Sequence, residues 1–180
     1  MEVAQKLFKE KGYSGTSMRD IAEDLGIKVS SIYNHVQSKE EILKNICISM
    51  ADAFFSSIDE IKDLGVFPGE KLHLAIESHI SVITSNLEAA PVFLHEWKYL
   101  TEPELSEFKA LRGNYEKIFR DIIQDGIAKQ SFQEVDDRFL TMMIFSSMNW
   151  IYDWYKADGK MSPRDIAETL SEFILNGINK

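Results

Sequence analysis

The side chains best equipped to recognise a partner lie in one short run: Lys28, Ser30, Ser31, Tyr33, Asn34 and His35, with Lys39 just beyond. Lys and Asn can hydrogen-bond base edges, while Ser and Tyr hydroxyls reach phosphate oxygens, so their chemistry suits a nucleic-acid groove. Readings based on catalysis or metal binding have little to stand on. His73 and His79 are six apart, which on a helix points them to different faces. His95 and Glu96 are immediate neighbours, and no HExxH, CxxC or glycine-rich phosphate loop occurs. No metal or cofactor is expected.

A recognition run works only if an element presents it outward. Residues 16–39 contain two short amphipathic patterns, 17–24 and 28–35, meeting at Gly26, which suits a backbone conformation that a side chain would disfavour. This is the layout of a helix-turn-helix. Ala4, Leu7 and Phe8 share one face of a preceding helix. Ile21, Ala22 and Leu25 share one face of the second, and Val29, Ile32 and Val36 line the inward side of the third. These residues are expected to form a small core. Ser17 and Lys39 stand at helix N-termini, where unpaired amides favour a phosphate. From spacing alone, an ordinary helical hairpin with a solvated polar face fits as well.

Here the sequence resembles the TetR family of bacterial transcriptional repressors. The resemblance rests on Ala4, Leu7-Phe8, Gly12-Tyr13, Thr16-Ser17, Asp20-Ile21-Ala22, Gly26, Ile32-Tyr33, His35, Ser38-Lys39-Glu40 and Leu43. It implies a dimeric DNA-binding repressor with a ligand-binding C-terminal part, divided as residues 1–45 and 46–180. The implied DNA contacts are Thr16 and Ser17 at the start of the second helix, Lys28, Val29, Ser30, Ser31, Tyr33, Asn34 and His35 on the third, and Lys39 at the start of the fourth. Three positions depart from the family pattern. Lys28 replaces a frequent serine N-cap, so the third helix is expected to start less firmly. Ser30 replaces a frequent glycine and Val36 a frequent phenylalanine, which thins the head's core. Family members usually carry a further turn and a basic arm ahead of Ala4, so contacts of such an arm are not assigned.

The net charge of −9 argues at first against DNA, but its distribution does not. Residues 1–47 hold seven Lys/Arg and seven Asp/Glu, and the acidic excess falls on the remainder. The neutral end is the expected contact surface. No apolar run approaches the roughly 20 residues of a membrane span. One cysteine, Cys47, fits a small buried residue in a reduced cytoplasmic setting.

Helical periodicity dominates the whole chain and predicts an all-α protein. Helices are expected at 1–12, 17–24, 28–35, 39–62, 70–87, 91–99, 102–129, 136–156 and 162–178: a three-helix head followed by a bundle. Ser38-x-x-Glu41 and Thr101-x-x-Glu104 match the capping box, Ser17-x-x-Asp20 resembles it, and Ser162-Pro163 pairs an N-cap with proline at the first helical position.

The resemblance places a dimer interface in residues 136–178. Leu140, Ile144, Ser147, Ile151 and Trp154 follow a heptad-like line there, as do Ala167, Leu170, Ile174 and Gly177. Intrachain core explains the same periodicity. Bulky residues of the body, Phe93, Trp97, Tyr115, Phe119, Met143 and Trp150, with Asn149 among them, suit an amphipathic effector pocket. Core packing is the ordinary use of such residues. Lys109, Arg112, Glu116 and Arg120 form a stripe beside an apolar face, either a solvated, internally paired row or a basic rim for an anionic head group.

A looser resemblance concerns a TetR subgroup that answers to acyl-CoA thioesters. It rests on Arg112, Tyr115-Glu116, Phe119, Gly126, Phe132, Asn149-Trp150, Trp154-Tyr155, Gly159 and Ser162, and implies a fatty acyl or acyl-CoA effector. The acidic body counts against a polyanionic ligand. A small all-α enzyme for a hydrophobic substrate and a helical protein-interaction adaptor are the alternatives, distinguished by turnover or by binding without DNA.

Overall fold

The computed structural model describes residues 1–179, and they are helical, as the periodicity predicts. The elements are α1 (Glu2–Gly15), α2 (Met18–Asp24), α3 (Val29–Ile32), α4 (Lys39–Lys62), α5 (Pro68–Ser85), α6 (Ala89–Pro91), α7 (Glu104–Ala128), α8 (Asp137–Asn149), α9 (Ile151–Trp154) and α10 (Pro163–Ile178). α6 runs on through a π turn, Val92–Glu96, and a 3₁₀ turn, Trp97–Tyr99. The only extended pairing among the described residues is an isolated bridge between Phe132 and Asn179. No helix among them is long and apolar enough to cross a membrane, and no group of three or more His, Cys, Asp or Glu could hold a metal ion.

The chain forms two compact units. One comprises Met1–Asp52 with Asn86–Leu111, the other Ala53–Ser85 with Arg112–Lys180. In the first, α1, α2 and α3 bury Ala4, Leu7, Phe8, Ile21, Ala22 and Ile32. Leu25 departs from expectation: it is the C-cap of α2 and lies 46% exposed. Gly26 follows with φ 65°, and the Ile27 amide donates to the Ala22 carbonyl across the turn. That is a Schellman closure, and it requires the left-handed residue that glycine supplies.

Local chemistry sets the helix boundaries. Ser17 and Asp20 form a reciprocal capping box, as do Ser162 and Asp165 ahead of Pro163. Lys28 caps α3 with no side-chain hydrogen bond, and α3 covers only Val29–Ile32 before it loosens into turns closed by His35 N–H on the Ile32 carbonyl. An uncapped start leaves orphan amides, so a weak helix is the physical consequence. The box expected at Thr101 and Glu104 does not form. Thr101 donates to the Glu40 carboxylate, and Glu104 instead pairs with Lys44. The expected 136–156 helix turns at Trp150, giving α8 and α9.

In the second unit, α5 lies against α10, α8 and α9. Leu72, Ile76, Ile80 and Ile83 of α5 are fully buried, as are Phe119 and Ile123 of α7. Gly126 is required at its position because the Phe132 ring covers it: a Cβ there would lie 2.1 Å from that ring.

Candidate DNA interface and effector cleft

In the first unit, the recognition run lies on α3 and the turn that follows it. Lys28, Ser30, Tyr33, Asn34 and His35 are exposed, while Val29 and Ser31 are half-buried. Tyr33 is 52% exposed, although an isolated hydrophobic ring would gain by burial, so its polar neighbours and hydroxyl present a surface open to a partner.

The flanking candidates sit differently. Thr16 is buried, and its hydroxyl donates to the carbonyls of Gly12 (2.9 Å) and Leu7 (3.2 Å). The Ser17 hydroxyl and amide both donate to Asp20, so the first turn of α2 is largely closed by its own cap. The hydrogen bonds to Ser17 hold the Asp20 carboxyl below the usual range. Lys39 points into the head. Its ammonium donates to the Tyr13 and Thr16 carbonyls, each at 2.7 Å, and lies 4.1 Å above the Tyr13 ring.

Tyr13 is the junction of this unit. α1 kinks at Gly12, φ 74°, which turns Tyr13 toward the α6 segment. There its amide donates to Glu96 at 3.0 Å and its ring stacks on Tyr99 at 5.2 Å. Phe93 and Trp97 of this segment pack on Phe108. Of the bulky residues expected around an effector, these two therefore belong to the first unit.

In the second unit, α7 and α8 enclose a cleft of about 510 Å³. Arg112, Glu116 and Arg120 of α7 face Arg138, Met142, Phe145 and Asn149 of α8 across it. Arg112 and Asn149 are thus on the wall, as the sequence suggested. Tyr115 and Phe119 are not. They are buried in an aromatic cluster with Phe54, Phe145 and His79. Met143 and Trp150 also lie off the cleft, Met143 on an apolar face described below and Trp150 63% exposed.

Sequence reasoning missed Arg138, and it counted Met142 and Phe145 among the bulky residues of the body without selecting them for the site. Their spacing was the available signal: 138, 142, 145 and 149 fall within one narrow stripe of a helix. His79 was also missed. It lies at the centre of the aromatic cluster, 4.6 Å from the Phe54 ring, with Nε2 3.0 Å from Asn149 Oδ1 and Nδ1 3.3 Å from the Tyr115 hydroxyl. Burial pulls its pKa from 6.5 down to about 4, partly offset by the bond to Asn149. Burial also pushes the Tyr115 phenol up, so both groups are neutral at physiological pH.

The opposite side of α8 joins α10 in an open apolar concavity. Leu140, Ser147, Leu170, Ile174 and Gly177 line it with Phe139, Met143 and Phe173, the last 81% exposed. Three other residues on the heptad lines lie inward: Ile144 is 1% exposed, Ile151 1% and Ala167 0%. They form intrachain core, although Ile144 also reaches the edge of the concavity. Trp154 is 42% exposed beyond the end of that face.

Comparison with known proteins bears on both units. Residues 1–46 match the family described as bacterial regulatory proteins, tetR family, and residues 65–178 match the tetracyclin repressor-like C-terminal domain. The chain belongs to the TetR family. This TetR-family member is accordingly a transcriptional regulator and not an enzyme. It is 27% identical to the HTH-type transcriptional repressor KstR2 of Mycolicibacterium smegmatis, over all of this chain and 89% of that one. The TetR-family regulator PfmR from Thermus thermophilus superposes with a TM-score of 0.88 at 31% identity, covering 99% of this chain and 98% of the other. AibR, solved with isovaleryl coenzyme A and operator DNA, superposes with a TM-score of 0.84 at 25% identity, covering 96% and 94%.

Proposed function

We propose that this repressor binds a palindromic operator as a homodimer and is released by a small amphipathic effector of the acyl-CoA class. The observation that carries the effector assignment is the cleft between α7 and α8. Three guanidiniums and one carboxylate share its walls with Met142 and Phe145, which suits a ligand that is anionic at one end and apolar at the other. Those arginines also answer the objection from the acidic body, because the local cation cluster matters more to a bound anion than net charge does. AibR, with its bound isovaleryl coenzyme A, supports the same ligand class.

Residues 1–45 serve as the DNA-binding part and 46–180 as the effector and dimer part. Lys28, Ser30, Ser31, Tyr33, Asn34 and His35 contact bases and phosphates, with Val29 packing behind them. Ser17 and Lys39 contribute at the backbone, and Thr16 acts by holding the end of α1. Lys39 retains one of its three N–H donors for a phosphate after its two internal bonds. In a dimer, two α3 helices about 34 Å apart match successive major grooves.

The apolar concavity of α8 and α10 is the dimer surface. A monomer rarely leaves so contiguous an apolar patch to water, and a self-complementary face closes a two-fold dimer. Effector binding favours a state with the heads moved apart, and about 1.4 kcal/mol of differential affinity between the two states lowers operator affinity tenfold.

Selection of bound fragments from genomic DNA, followed by titration with acyl-CoA, tests the proposal. An enriched inverted repeat, released by an acyl-CoA, is the expected result. No enriched repeat would overturn the operator reading, and release by no acyl-CoA would overturn the effector reading. An Arg120→Glu, Arg138→Glu variant is expected to bind the operator normally and ignore the effector.

A further inference from the structure

The wall of the cleft at Asn149 is backed by a three-residue hydrogen-bond chain whose direction burial determines. The Tyr115 hydroxyl is buried and meets one partner, His79 Nδ1. A buried hydroxyl proton without an acceptor is costly, so Tyr115 donates and Nδ1 accepts. The proton of the neutral imidazole is then on Nε2, which donates to Asn149 Oδ1. With its carbonyl oxygen held by His79, Asn149 has its Nδ2 amide left to serve a ligand in the cleft it lines. No described residue accepts a hydrogen bond from that amide. Rotating the amide by half a turn would set two donors against each other at His79 Nε2, so the orientation is held.

The rest of the cleft says what such a donor meets. Gln124 bonds Asp137 at one end of the α7–α8 pair, and the Tyr115–His79–Asn149 chain joins the other, so the two helices run antiparallel. Arg120 and Arg138 therefore stand toward the first end, and Arg112 toward the second, with Asn149. Asn149 stands eleven residues after Arg138, about 16 Å along the helix, with Met142 and Phe145 between them. Charged donors serve anionic oxygens where Arg120 and Arg138 stand. At the other end, which Arg112 shares, the neutral Asn149 amide beside the Phe145 ring suits a neutral acceptor. In a coenzyme A thioester the phosphates and the acyl carbonyl are separated by the pantetheine arm, which has a comparable reach.

We propose that Asn149 Nδ2 donates a hydrogen bond to the acyl carbonyl oxygen of the effector, and that Tyr115 and His79 are positioning residues that hold the amide donor-outward. Asn149 is then the specificity determinant by which the cleft distinguishes a thioester from a ligand lacking that oxygen. This assignment rests on the effector reading above.

The test is calorimetric titration of the full chain with isovaleryl-CoA and octanoyl-CoA, each beside its S-alkyl thioether, which lacks only the carbonyl oxygen. The thioesters are expected to bind about three- to tenfold more tightly than the thioethers. Asn149→Leu should lose that preference and keep the thioether affinity. Asn149→Asp, which can still accept from His79, should lose it too and serves if the leucine variant fails to fold. Equal affinity for thioester and thioether, or a preference that survives in either variant, overturns the role of Asn149 and leaves the effector class standing. Binding of neither compound overturns both. Independently, nitrogen-correlated NMR of His79 in the unliganded full chain should show the Nε2–H tautomer, and an Nδ1–H ring overturns the relay.

Discussion

The Lys39 ammonium lies above the Tyr13 ring at 4.1 Å while it donates to the Tyr13 backbone carbonyl at 2.7 Å. One side chain at the start of α4 thereby satisfies the carbonyls at the end of α1 and fixes the ring that stacks on Tyr99. Lys39 thus supports the head.

Replacing it separates these roles from those of the exposed run. Lys39→Met is expected to destabilise the head by about 1–2 kcal/mol, because two charge-assisted hydrogen bonds are lost at a partly solvated site. Tyr33→Ala should leave stability within about 0.5 kcal/mol, as expected for an exposed site. Both should weaken operator binding. Chemical denaturation followed by circular dichroism, run beside operator titrations, reads both effects. Equal stability of the two variants would refute the supporting role of Lys39.

His79 makes stability depend on pH. Its pKa is about 4 in the folded chain and near 6.5 when unfolded, so the unfolded chain binds the extra proton between those values. Stability is therefore complete above about pH 6.5 and falls as the pH drops toward 4, by up to roughly 3 kcal/mol from this group. Urea denaturation across that range should show the slope, and His79→Gln should flatten it even though the variant is less stable throughout.

Gly126 and Phe132 should behave as a coupled pair. Gly126→Ala places a methyl group against the buried Phe132 ring and is expected to cost about 1–3 kcal/mol. Phe132→Ala alone removes a fully buried ring and costs about 3–5 kcal/mol. Once the ring is gone the added methyl has room, so the double variant should cost less than the sum of the singles. Strict additivity in a double-mutant cycle would contradict the close approach.

The apolar concavity makes a prediction about assembly. Phe173→Glu places a carboxylate on a residue 81% exposed in the single chain, so the fold of one chain should survive. If that face closes the dimer, the variant should be monomeric by light scattering and lose operator affinity by more than tenfold. A dimer of unchanged affinity would move the interface elsewhere.

The sequence alone carried the all-helical fold, the turn at Gly26 and the exposed polar run around α3, because each follows from local rules: helical periodicity, a left-handed glycine and the spacing of polar side chains. It also named Arg112 and Asn149 among the candidate effector residues, and both line the cleft. It could not divide α8. Residues 138, 142, 145 and 149 make one stripe and 140, 143 and 147 another, and periodicity reports stripes without saying what lies against them. Tertiary packing decided that the first faces Arg112 and Arg120 across a cleft and that the second joins α10 in an open apolar face. It likewise drew Tyr115 and Phe119 beneath the cleft around His79, and turned Lys39 inward onto α1. Those outcomes depend on residues 23 to 70 positions apart in the chain, meeting only when the helices assemble.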